Sequence, residues 1–377
     1  MRLLRRLRKI PAAAYLAANL KRKINITQIS IPHPSQPSQP SQPSQPSQPS
    51  QHPQHSQHPQ HSQPLNTLNI LNTLNILNPS PPPLMRVLVF GKQYKEKDLP
   101  QIQEAFDALH LEGIEISVFE PYLNDLQDHV RLPANCTPFT DHNDFNTQNI
   151  DCMMVLGGDG TMLSATTLVC DHGIPMLGIN LGRLGFLASI EKSHIRQSVR
   201  MLARGQYTIE ERSMIYLESN PHIFGNMPFA LNDCTLLKRD TSSMITIHVF
   251  LNGDFLSSYW ADGIIIATPT GSTGYSLSCG GPIIFPNSGN FVITPVAPHN
   301  LNVRPLVLSD ESVISFEIEG RADNFICSLD SRFELVGNHH QLAVRKNDFT
   351  TKLVQLQDAT FLNTIRAKLG WGEDVRN

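Results

Sequence analysis

The stretch Ile150-Asp-Cys-Met-Met-Val-Leu-Gly-Gly-Asp-Gly-Thr161 joins an apolar run to a glycine-rich turn. Beyond the turn, apolar residues recur at helical spacing as far as Val169, which predicts a buried strand, a tight turn and a helix. Glycines let a backbone approach an anion closely, and the first N–H groups of a helix attract phosphate. The stretch therefore predicts a phosphate-binding turn at Gly157–Thr161.

The carboxylate in this turn needs its own explanation, because an ionised aspartate repels phosphate. Asp159 could cap the helix, since aspartate is favoured at helix N-termini. A cap does not require glycine on both sides, however. We therefore favour a chemical role for Asp159, or a cation between it and the phosphate.

Residues 1–84 differ in composition from the rest of the chain. They contain eight basic and no acidic residues, which leaves 22 basic and 33 acidic residues, a net charge of −11, in 85–377. An acidic folded part disfavours nucleic acid as a partner. No apolar stretch approaches the ~20 residues of a membrane span. We expect a cytoplasmic protein without a membrane partner.

The first 84 residues have the character of low-complexity sequence. Met1–Lys23 is basic and alanine-rich, Ser-Gln-Pro repeats follow from Ser35, and Leu-Asn-Thr-Leu-Asn-Ile occurs twice from Leu65. Such tracts cannot bury a core, so we expect disorder. Exact tandem repeats also suggest translated repeat DNA upstream of the true start at Met85. We expect residues 1–84 to be dispensable; the alternative is that Met1–Lys23 is a targeting or membrane-surface segment.

Strands and helices are predicted in turn over the first half of 85–377. They are the strands Met85–Gly91, Ile114–Phe119, Ile150–Leu156 and Ile174–Ile179 and the helices Leu99–Leu111 and Ile195–Gly205. This alternation predicts a parallel sheet with ligands at the carboxyl ends of its strands. One such end carries a second glycine-rich loop, Asn180–Phe186, with the cation Arg183. It is either a substrate-facing loop or a structural turn.

Short segments rich in β-branched and aromatic residues make up the second half, which predicts a mainly antiparallel β domain. They are Met214–Glu218, Met244–Leu251, Phe255–Trp260, Gly263–Thr268, Phe291–Val296, Ser312–Glu319, Phe325–Leu329, Gln341–Arg345 and Lys352–Gln357. Asn252-Gly253 predicts a hairpin, and Ala359–Leu369 predicts a closing helix. The predicted units are the extension (1–84), a Rossmann-like α/β domain (85–205), a β-rich domain (206–358), and the C-terminal helix and tail (359–377).

A third informative stretch is Asp262–Gly281, where a strand led by a carboxylate feeds a loop dense in glycine and hydroxyl side chains. The hydroxyls belong to Thr268, Thr270, Ser272, Thr273, Tyr275, Ser276 and Ser278. Hydroxyls bind sugar or phosphate oxygens through neutral hydrogen bonds, although serine and threonine are also common in turns. The length of the loop and the apolar strand before it favour a ligand-binding role.

Several common sites are excluded. The chain contains no Gly-x-x-x-x-Gly-Lys-Ser/Thr, no complete Gly-x-Gly-x-x-Gly after a strand, and no His-Glu-x-x-His. Its six cysteines lie far apart without a Cys-x-x-Cys pair, as expected for buried reduced thiols. A P-loop NTPase, an ordinary dinucleotide fingerprint and a zinc site are therefore not indicated.

Together, the three motifs resemble those of the NAD kinase family. The motifs are Gly157–Thr161, Asn232-Asp233 and Asp262–Gly281, and the resemblance runs from about Met85 to the C-terminus, including Gly182–Phe186, Pro298–Pro305 and Asn363–Trp371. The first motif alone also occurs in diacylglycerol kinases, sphingosine kinases and phosphofructokinases, whereas the set is specific. One departure is Asn232-Asp233, where the family usually has Asn-Glu.

This resemblance implies transfer of the γ-phosphate of ATP to the 2′-hydroxyl of the adenosine ribose of NAD, with Mg²⁺ or another divalent metal. Asp159 is implied as the base, Asn232 and Asp233 as contacts of adenine and ribose, and Asp262 as a contact of the nicotinamide amide. The implied nucleotide-binding set is Gly158, Asp159, Gly160, Thr161, Phe186, Asn232, Asp233, Asp262, Thr273, Gly274, Tyr275 and Ser278. The family also completes its NAD site with a second subunit, which implies a homodimer or homotetramer.

Two other functions compete with this one. A lipid kinase of the diacylglycerol or sphingosine type shares the Gly-Gly-Asp-Gly-Thr turn, but it needs an apolar acyl pocket, whereas the 262–281 loop is rich in hydroxyls. A non-catalytic dinucleotide sensor would bind NAD or NADP without turnover, and the intact Asp159 argues against it.

Overall fold

The computed structural model describes residues 85–371, apart from 135, 148, 240–242, 322 and 357–359. The predictions made for residues 1–84, and the predicted start of the last helix at Ala359, lie outside the described residues. The described residues form twenty strands: β1 (Arg86–Phe90), β2 (Glu115–Phe119), β3 (Thr137–Phe139), β4 (Cys152–Leu156), β5 (Met176–Asn180), β6 (Ile190–Glu191), β7 (Thr208–Arg212), β8 (Ile215–Asn220), β9 (Phe229–Ala230), β10 (Asp233–Lys238), β11 (Ile245–Leu251), β12 (Asp254–Ala261), β13 (Gly263–Ala267), β14 (Asn290–Val296), β15 (Leu306–Ser309), β16 (Ile314–Glu319), β17 (Asn324–Leu329), β18 (Arg332–Gly337), β19 (Gln341–Lys346) and β20 (Thr351–Gln355).

Helices are concentrated in the first half of the described chain. They are α1 (Leu99–Leu111), α2 (Glu120–Leu126), α3 (Asp159–Val169), α4 (Ile195–Ala203), α5 (Tyr275–Ser278) and α6 (Phe361–Leu369), with 3₁₀ turns at Glu96–Asp98, His142–Thr147, Lys192–His194 and Gly271–Thr273. The last helix is capped at both ends: the Thr360 hydroxyl accepts the Asn363 N–H, and Gly370 follows in a left-handed conformation.

The first sheet has the strand order β3-β2-β1-β4-β5-β20-β7, with β6 beside β5. Its first five strands are parallel, as predicted. Helix α1 packs on one face, where Ile102 and Phe106 share a core with Val87 and Val89. Helix α3 packs on the other, where its apolar side chains share a core with Leu88. The sheet is therefore covered on both faces, which explains its continuous apolar strands.

Two antiparallel sheets form the second half, with strand orders β15-β14-β13-β10-β17-β18 and β12-β11-β16-β19-β8-β9. They share one buried core, in which Leu236 and Ile264 of the first of these sheets meet Ile247 and Phe316 of the other. The predicted α/β half, antiparallel β half and closing helix are thus confirmed. The Asn252-Gly253 hairpin is also confirmed: the two residues join β11 to β12 with φ values of 52° and 93°, as the favoured two-residue turn requires.

One strand lies in a different sheet from the one expected. The sequence predicts Lys352–Gln357 as a strand of the antiparallel half, but β20 pairs with β5 and β7 in the first sheet. The sequence does not predict strand β7, because Thr-Ile-Glu-Glu-Arg is too polar to show the apolar pattern of a strand. The first sheet is consequently built from both ends of the described chain.

Candidate active site

The carboxylate of Asp159 lies at the first residue of α3, where the chain leaves β4. Its Oδ1 accepts hydrogen bonds from the backbone N–H groups of Leu187 (2.9 Å) and Ala188 (3.1 Å), and its Oδ2 accepts one from Phe186 (2.9 Å). The turn after β4 and the loop after β5 are thereby joined. The glycine-rich loop that begins at Asn180, predicted as either a substrate-facing loop or a structural turn, leads into the residues that support the Asp159 carboxylate.

A missing side chain makes this support possible. A Cβ at Gly185 would overlap the carboxylate oxygens of Asp159, whereas a Cβ at Gly182 in the same loop would meet only Asn180 Oδ1, at 3.7 Å. Only glycine at position 185 therefore lets the backbone approach Asp159 closely enough to donate its three hydrogen bonds.

The second and third motifs meet through strand pairing. Asp233 of β10 lies opposite Ala267 of β13, and the carbonyl of Asn232 accepts the N–H of Thr268 at 2.9 Å. A Cβ at Gly271 would overlap the backbone of Asn232, so this glycine also permits a close approach. Residues about thirty-five positions apart in the sequence are therefore held side by side.

Asp330 holds the turn that carries Asn232 and Asp233, and no local sequence pattern indicates this role. Its Oδ1 accepts the N–H of Asn232 (2.7 Å) and of Asp233 (3.3 Å), and its Oδ2 accepts that of Leu231 (2.9 Å). The residue is positioned by the β17–β18 hairpin with φ 53°. Burial raises the pKa of Asp330, but these amides and Arg332 oppose the rise, so we regard it as the ionised member of its pair with Asp233.

Asp233 is the protonatable member of that pair. Its side chain is buried, and no described residue donates a hydrogen bond to its carboxylate. Desolvation, with a smaller contribution from the charge of Asp330, raises the pKa of Asp233 to about 7. A carboxyl group without a protein partner is available to a hydroxyl of a bound ligand.

This pKa predicts a stability that depends on pH. Between about pH 4 and pH 7 the folded protein keeps a proton on Asp233 that the unfolded chain has released, so its contribution to stability falls as the pH rises. Asp233→Asn should therefore raise the free energy of unfolding at pH 8 by about 2–4 kcal/mol and change it little at pH 4. Urea denaturation at both pH values measures this. Asp254→Asn, at an exposed strand position, is the control; an equal gain there, or no gain for Asp233→Asn, would contradict the prediction.

A cavity of about 290 Å³ opens on these residues, lined by Asn232, Asp233, Tyr275 and Ser328, and by Leu163 of α3. Leu163 lies four residues after Asp159, which is one helical turn or ~5–6 Å along α3. The helix headed by Asp159 therefore forms part of the wall of the Asn232–Asp233 cavity. Leu163, Ser328 and Asp330 were not predicted, because nothing local in the sequence sets them apart from ordinary core or turn residues.

Other predicted contacts lie elsewhere. Phe186 is half-buried in a separate cavity of about 760 Å³, beside Phe361 of α6. Asp262 precedes β13 at its far end from Thr268, and its Oδ1 lies 2.6 Å from Lys238 Nζ. Ser278 is exposed. The structure thus brings Asn232, Asp233 and Tyr275 into one cavity and leaves Phe186, Asp262 and Ser278 outside it.

Several hydroxyls of the 268–278 loop have protein partners. Thr268 donates to Leu231 O (2.6 Å), Ser272 to Pro269 O (2.6 Å), and Ser276 bonds Thr294 (2.8 Å). The Thr273 hydroxyl donates to Thr270 O at 3.1 Å and lies half-buried next to Gly274. Many of the hydroxyls predicted to bind a ligand thus stabilise the loop itself.

Comparison with known proteins identifies the family. A model of the ATP-NAD kinase N-terminal domain matches residues 87–207, and one of the C-terminal domain matches residues 231–356. The chain belongs to the ATP-NAD kinase family. An NAD kinase of Cytophaga hutchinsonii is 47% identical over 288 residues, covering 76% of this chain and 98% of that protein. An NAD kinase of Flavobacterium psychrophilum is 43% identical over 295 residues, covering 78% and 100%. These matches do not favour the lipid-kinase or sensor alternatives.

Solved structures of ATP-NAD kinase relatives share the fold. Yeast NADH kinase, crystallised with NADH, superposes with a TM-score of 0.70 at 23% identity, covering 78% of this chain and 89% of that one. An Archaeoglobus fulgidus NAD kinase in complex with ATP gives a TM-score of 0.58 at 24% identity, covering 75% of this chain and 99% of that one.

Within the part of the chain that the structure describes, no helix has the length and apolar character needed to cross a membrane.

Proposed function

We propose that the protein transfers the γ-phosphate of ATP to the 2′-hydroxyl of the adenosine ribose of NAD, releasing NADP and ADP. The activity is that of the ATP-NAD kinase family, to which the chain belongs. One observation supports the roles given to named residues: Leu163 lines the Asn232–Asp233 cavity one turn beyond Asp159. A ribose held by Asp233 would then lie within reach of the carboxylate that heads α3.

Asp159 acts as the general base through Oδ2. A carboxylate offers about four acceptor positions, and three of those of Asp159 are taken by backbone N–H groups, two of them on Oδ1. The position that remains is on Oδ2. This oxygen takes the proton of the 2′-hydroxyl while the 2′-oxygen bonds to the γ-phosphorus and the bond from that phosphorus to the β–γ bridging oxygen breaks.

The phosphates of ATP meet the N-terminus of α3. The N–H groups of Asp159 and Gly160 precede the first intrahelical bonds of α3, with Gly158 at the N-cap and Thr161 in the first turn. Such a helix end attracts anions. Phosphoryl transfer depends mainly on positioning and charge neutralisation, so this end of the helix would align the γ-phosphate with the 2′-hydroxyl.

A divalent metal would arrive as part of the ATP substrate. Among the described residues, no group of three His, Cys, Asp or Glu side chains is placed to hold an ion. This fits Mg²⁺ in nucleotide sites, where the ion keeps several waters and binds through substrate phosphates with one or two carboxylates. When bound, the metal neutralises charge on the β- and γ-phosphates.

Asn232, Asp233 and Tyr275 contact the adenosine part of NAD, and Thr273 and Gly274 border it. Asp262 contacts the nicotinamide amide beyond the far end of β13, about 17 Å from Ala267 at the usual strand rise, and Ser278 and Phe186 lie at the margin of the site. The support is the clustering of Asn232, Asp233 and Tyr275 around one cavity.

Removing the Asp233 carboxylate should weaken NAD binding. A hydrogen bond from the ribose to a charged acceptor is worth about 1.5–3 kcal/mol, so Asp233→Ala should raise the KM for NAD about 10- to 100-fold at pH 8. The KM for ATP should change little. Steady-state kinetics with each substrate varied in turn separates the two values. If the KM for NAD is unaltered, the shorter side chain does not reach the ribose.

The activity itself is tested by incubating the full chain with Mg²⁺, ATP and either NAD or diacylglycerol. NADP should form in the first tube, and no phosphatidic acid in the second. Parallel tubes with NADH and with inorganic polyphosphate define the acceptor and donor range. Absence of NADP from the first tube would contradict the proposed function, and lipid phosphorylation would support the lipid-kinase alternative.

We also infer a cytoplasmic homodimer or homotetramer. Large apolar side chains are exposed on strands of the antiparallel sheets, among them Phe255 (60%), Trp260 (46%) and Phe333 (67%). Exposed apolar groups on edge strands are typical of surfaces that a partner covers. Sedimentation of the purified protein measures the oligomeric state.

A further inference from the structure

The two halves of the first sheet are wound in opposite directions from the boundary between β1 and β4. From β1 the chain passes through α1 to β2 on one side, and from β4 it passes through α3 to β5 on the other. Helices α1 and α3 lie on opposite faces. In open parallel sheets the ligand crevice lies at such a boundary, outside the carboxyl ends of the two strands. Its walls are the turn at Gly157–Thr161 and the loop after β1.

The loop after β1 carries three lysines at this edge of the sheet. Residues 91–98 read Gly-Lys-Gln-Tyr-Lys-Glu-Lys-Asp, and Lys92, Lys95 and Lys97 are all exposed. Among the ion pairs between described residues, none includes these lysines. The same segment also holds Glu96 and the buried Asp98, so its net charge is +1, in a part of the chain, residues 85–377, whose net charge is −11.

Strand register distinguishes Lys92 from the other two lysines. Phe90 lies opposite Val155 of β4, so continuing the pairing by two residues brings Lys92 level with Gly157. Leu88 and Phe90 both face the core on the α3 side of the sheet. Gly91 faces Tyr122 on the opposite, α1 side, so the alternation continues as far as Gly91. Lys92 is the next residue, two positions after the end of β1, whereas Lys95 and Lys97 follow further along the loop, at the 3₁₀ turn before α1.

We propose that Lys92 binds the triphosphate of ATP across the crevice from the N-terminus of α3. The proposal rests on the proposed function. An ammonium group on a flexible stem binds phosphate oxygens as a point charge. Its positive charge offsets the negative charge of Asp159 and of the acidic surroundings, which would otherwise repel the triphosphate. Lys92 contacts the donor alone, so it affects ATP and not NAD.

The test compares Lys92→Ala and Lys92→Arg with Lys95→Ala and Lys97→Ala in the full chain. Lys92→Ala should raise the KM for Mg²⁺-ATP about 10-fold, with the KM for NAD and the melting temperature within error of wild type. Lys92→Arg should restore most of the affinity, and the other two variants should change the KM for ATP less than twofold. An unchanged KM for ATP in Lys92→Ala, or equal losses in all three alanine variants, would overturn the proposal.

A binding measurement keeps this outcome separate from that of the proposed function. Calorimetric titration of the wild type and Lys92→Ala with Mg²⁺-ATP, in the absence of NAD, should show the same ~10-fold difference in Kd. If the wild type binds ATP about 10-fold more tightly than Lys92→Ala but forms no NADP, the proposed function fails while the Lys92 assignment stands. If both proteins bind ATP equally, the Lys92 assignment fails whatever the activity.

Discussion

Asp159→Asn is expected to lower kcat by at least ~10², the order that removal of a general base gives. The amide nitrogen of asparagine carries no free acceptor position, so it cannot take the proton of the 2′-hydroxyl. In either orientation of the amide, its NH₂ group also faces a backbone N–H, at Phe186 or at Leu187 and Ala188. The variant should therefore show a lower melting temperature as well, through loss of one or two of these bonds.

Asp171→Asn provides the matched control, since Asp171 lies just after the other end of α3 with its side chain 69% exposed. Its kcat and melting temperature should equal those of the wild type. Calorimetry with NAD should show binding by Asp159→Asn, because the proposed NAD contacts lie on β10 and α5. Full turnover by Asp159→Asn would remove Asp159 from the role of base, whereas loss of NAD binding would reassign it to the binding site.

Gly185→Ala should be nearly as damaging, although it adds only a methyl group. The new Cβ would overlap the Asp159 carboxylate, so either the carboxylate must rotate away or the loop must open and lose its three hydrogen bonds. Displacing a catalytic group by about 1 Å can reduce turnover ~10²-fold. We expect a loss of that size in kcat, with the KM for NAD nearly unchanged.

Gly182→Ala separates this effect from a general change in the loop. Gly182 belongs to the same loop, but a Cβ there would make only an ordinary contact with Asn180. Its kcat should lie within about twofold of wild type. Similar activity of Gly182→Ala and Gly185→Ala would show that the close approach of the loop to Asp159 does not matter for turnover.

Local patterns were sufficient for most of the fold. The apolar run ending at Leu156, the helical spacing after Thr161 and the Asn252-Gly253 turn each depend on neighbours in the sequence, and the structure contains all three elements. Strand β7 could not be found in this way. It is a polar edge strand in which only Arg212 is buried, paired with Glu210, and its place in the sheet depends on β20, more than 130 residues further along the chain.

Within the site, the sequence indicated the residues proposed to contact a ligand. It did not indicate the residues that hold them in position. Asp159 and Asn232-Asp233 stand beside glycines or in recognisable motifs. Asp330, by contrast, reaches Leu231 from 99 residues away, and only the pairing of β10 with β17 brings them together. Similarly, no sequence pattern could show that the N–H groups of residues 186–188 converge on one carboxylate.

Strand β20 has a consequence for the newly synthesised protein. It lies between β5 and β7, yet it leaves the ribosome only after both antiparallel sheets, roughly ten seconds or more behind β7 at usual rates of translation. Until then β7 has no neighbour in its sheet, and the part of the β5 edge that β6 does not cover is open to pairing with other chains. The nascent chain is therefore most exposed to aggregation during that interval, and slowing translation across the antiparallel half should lower the yield of native protein.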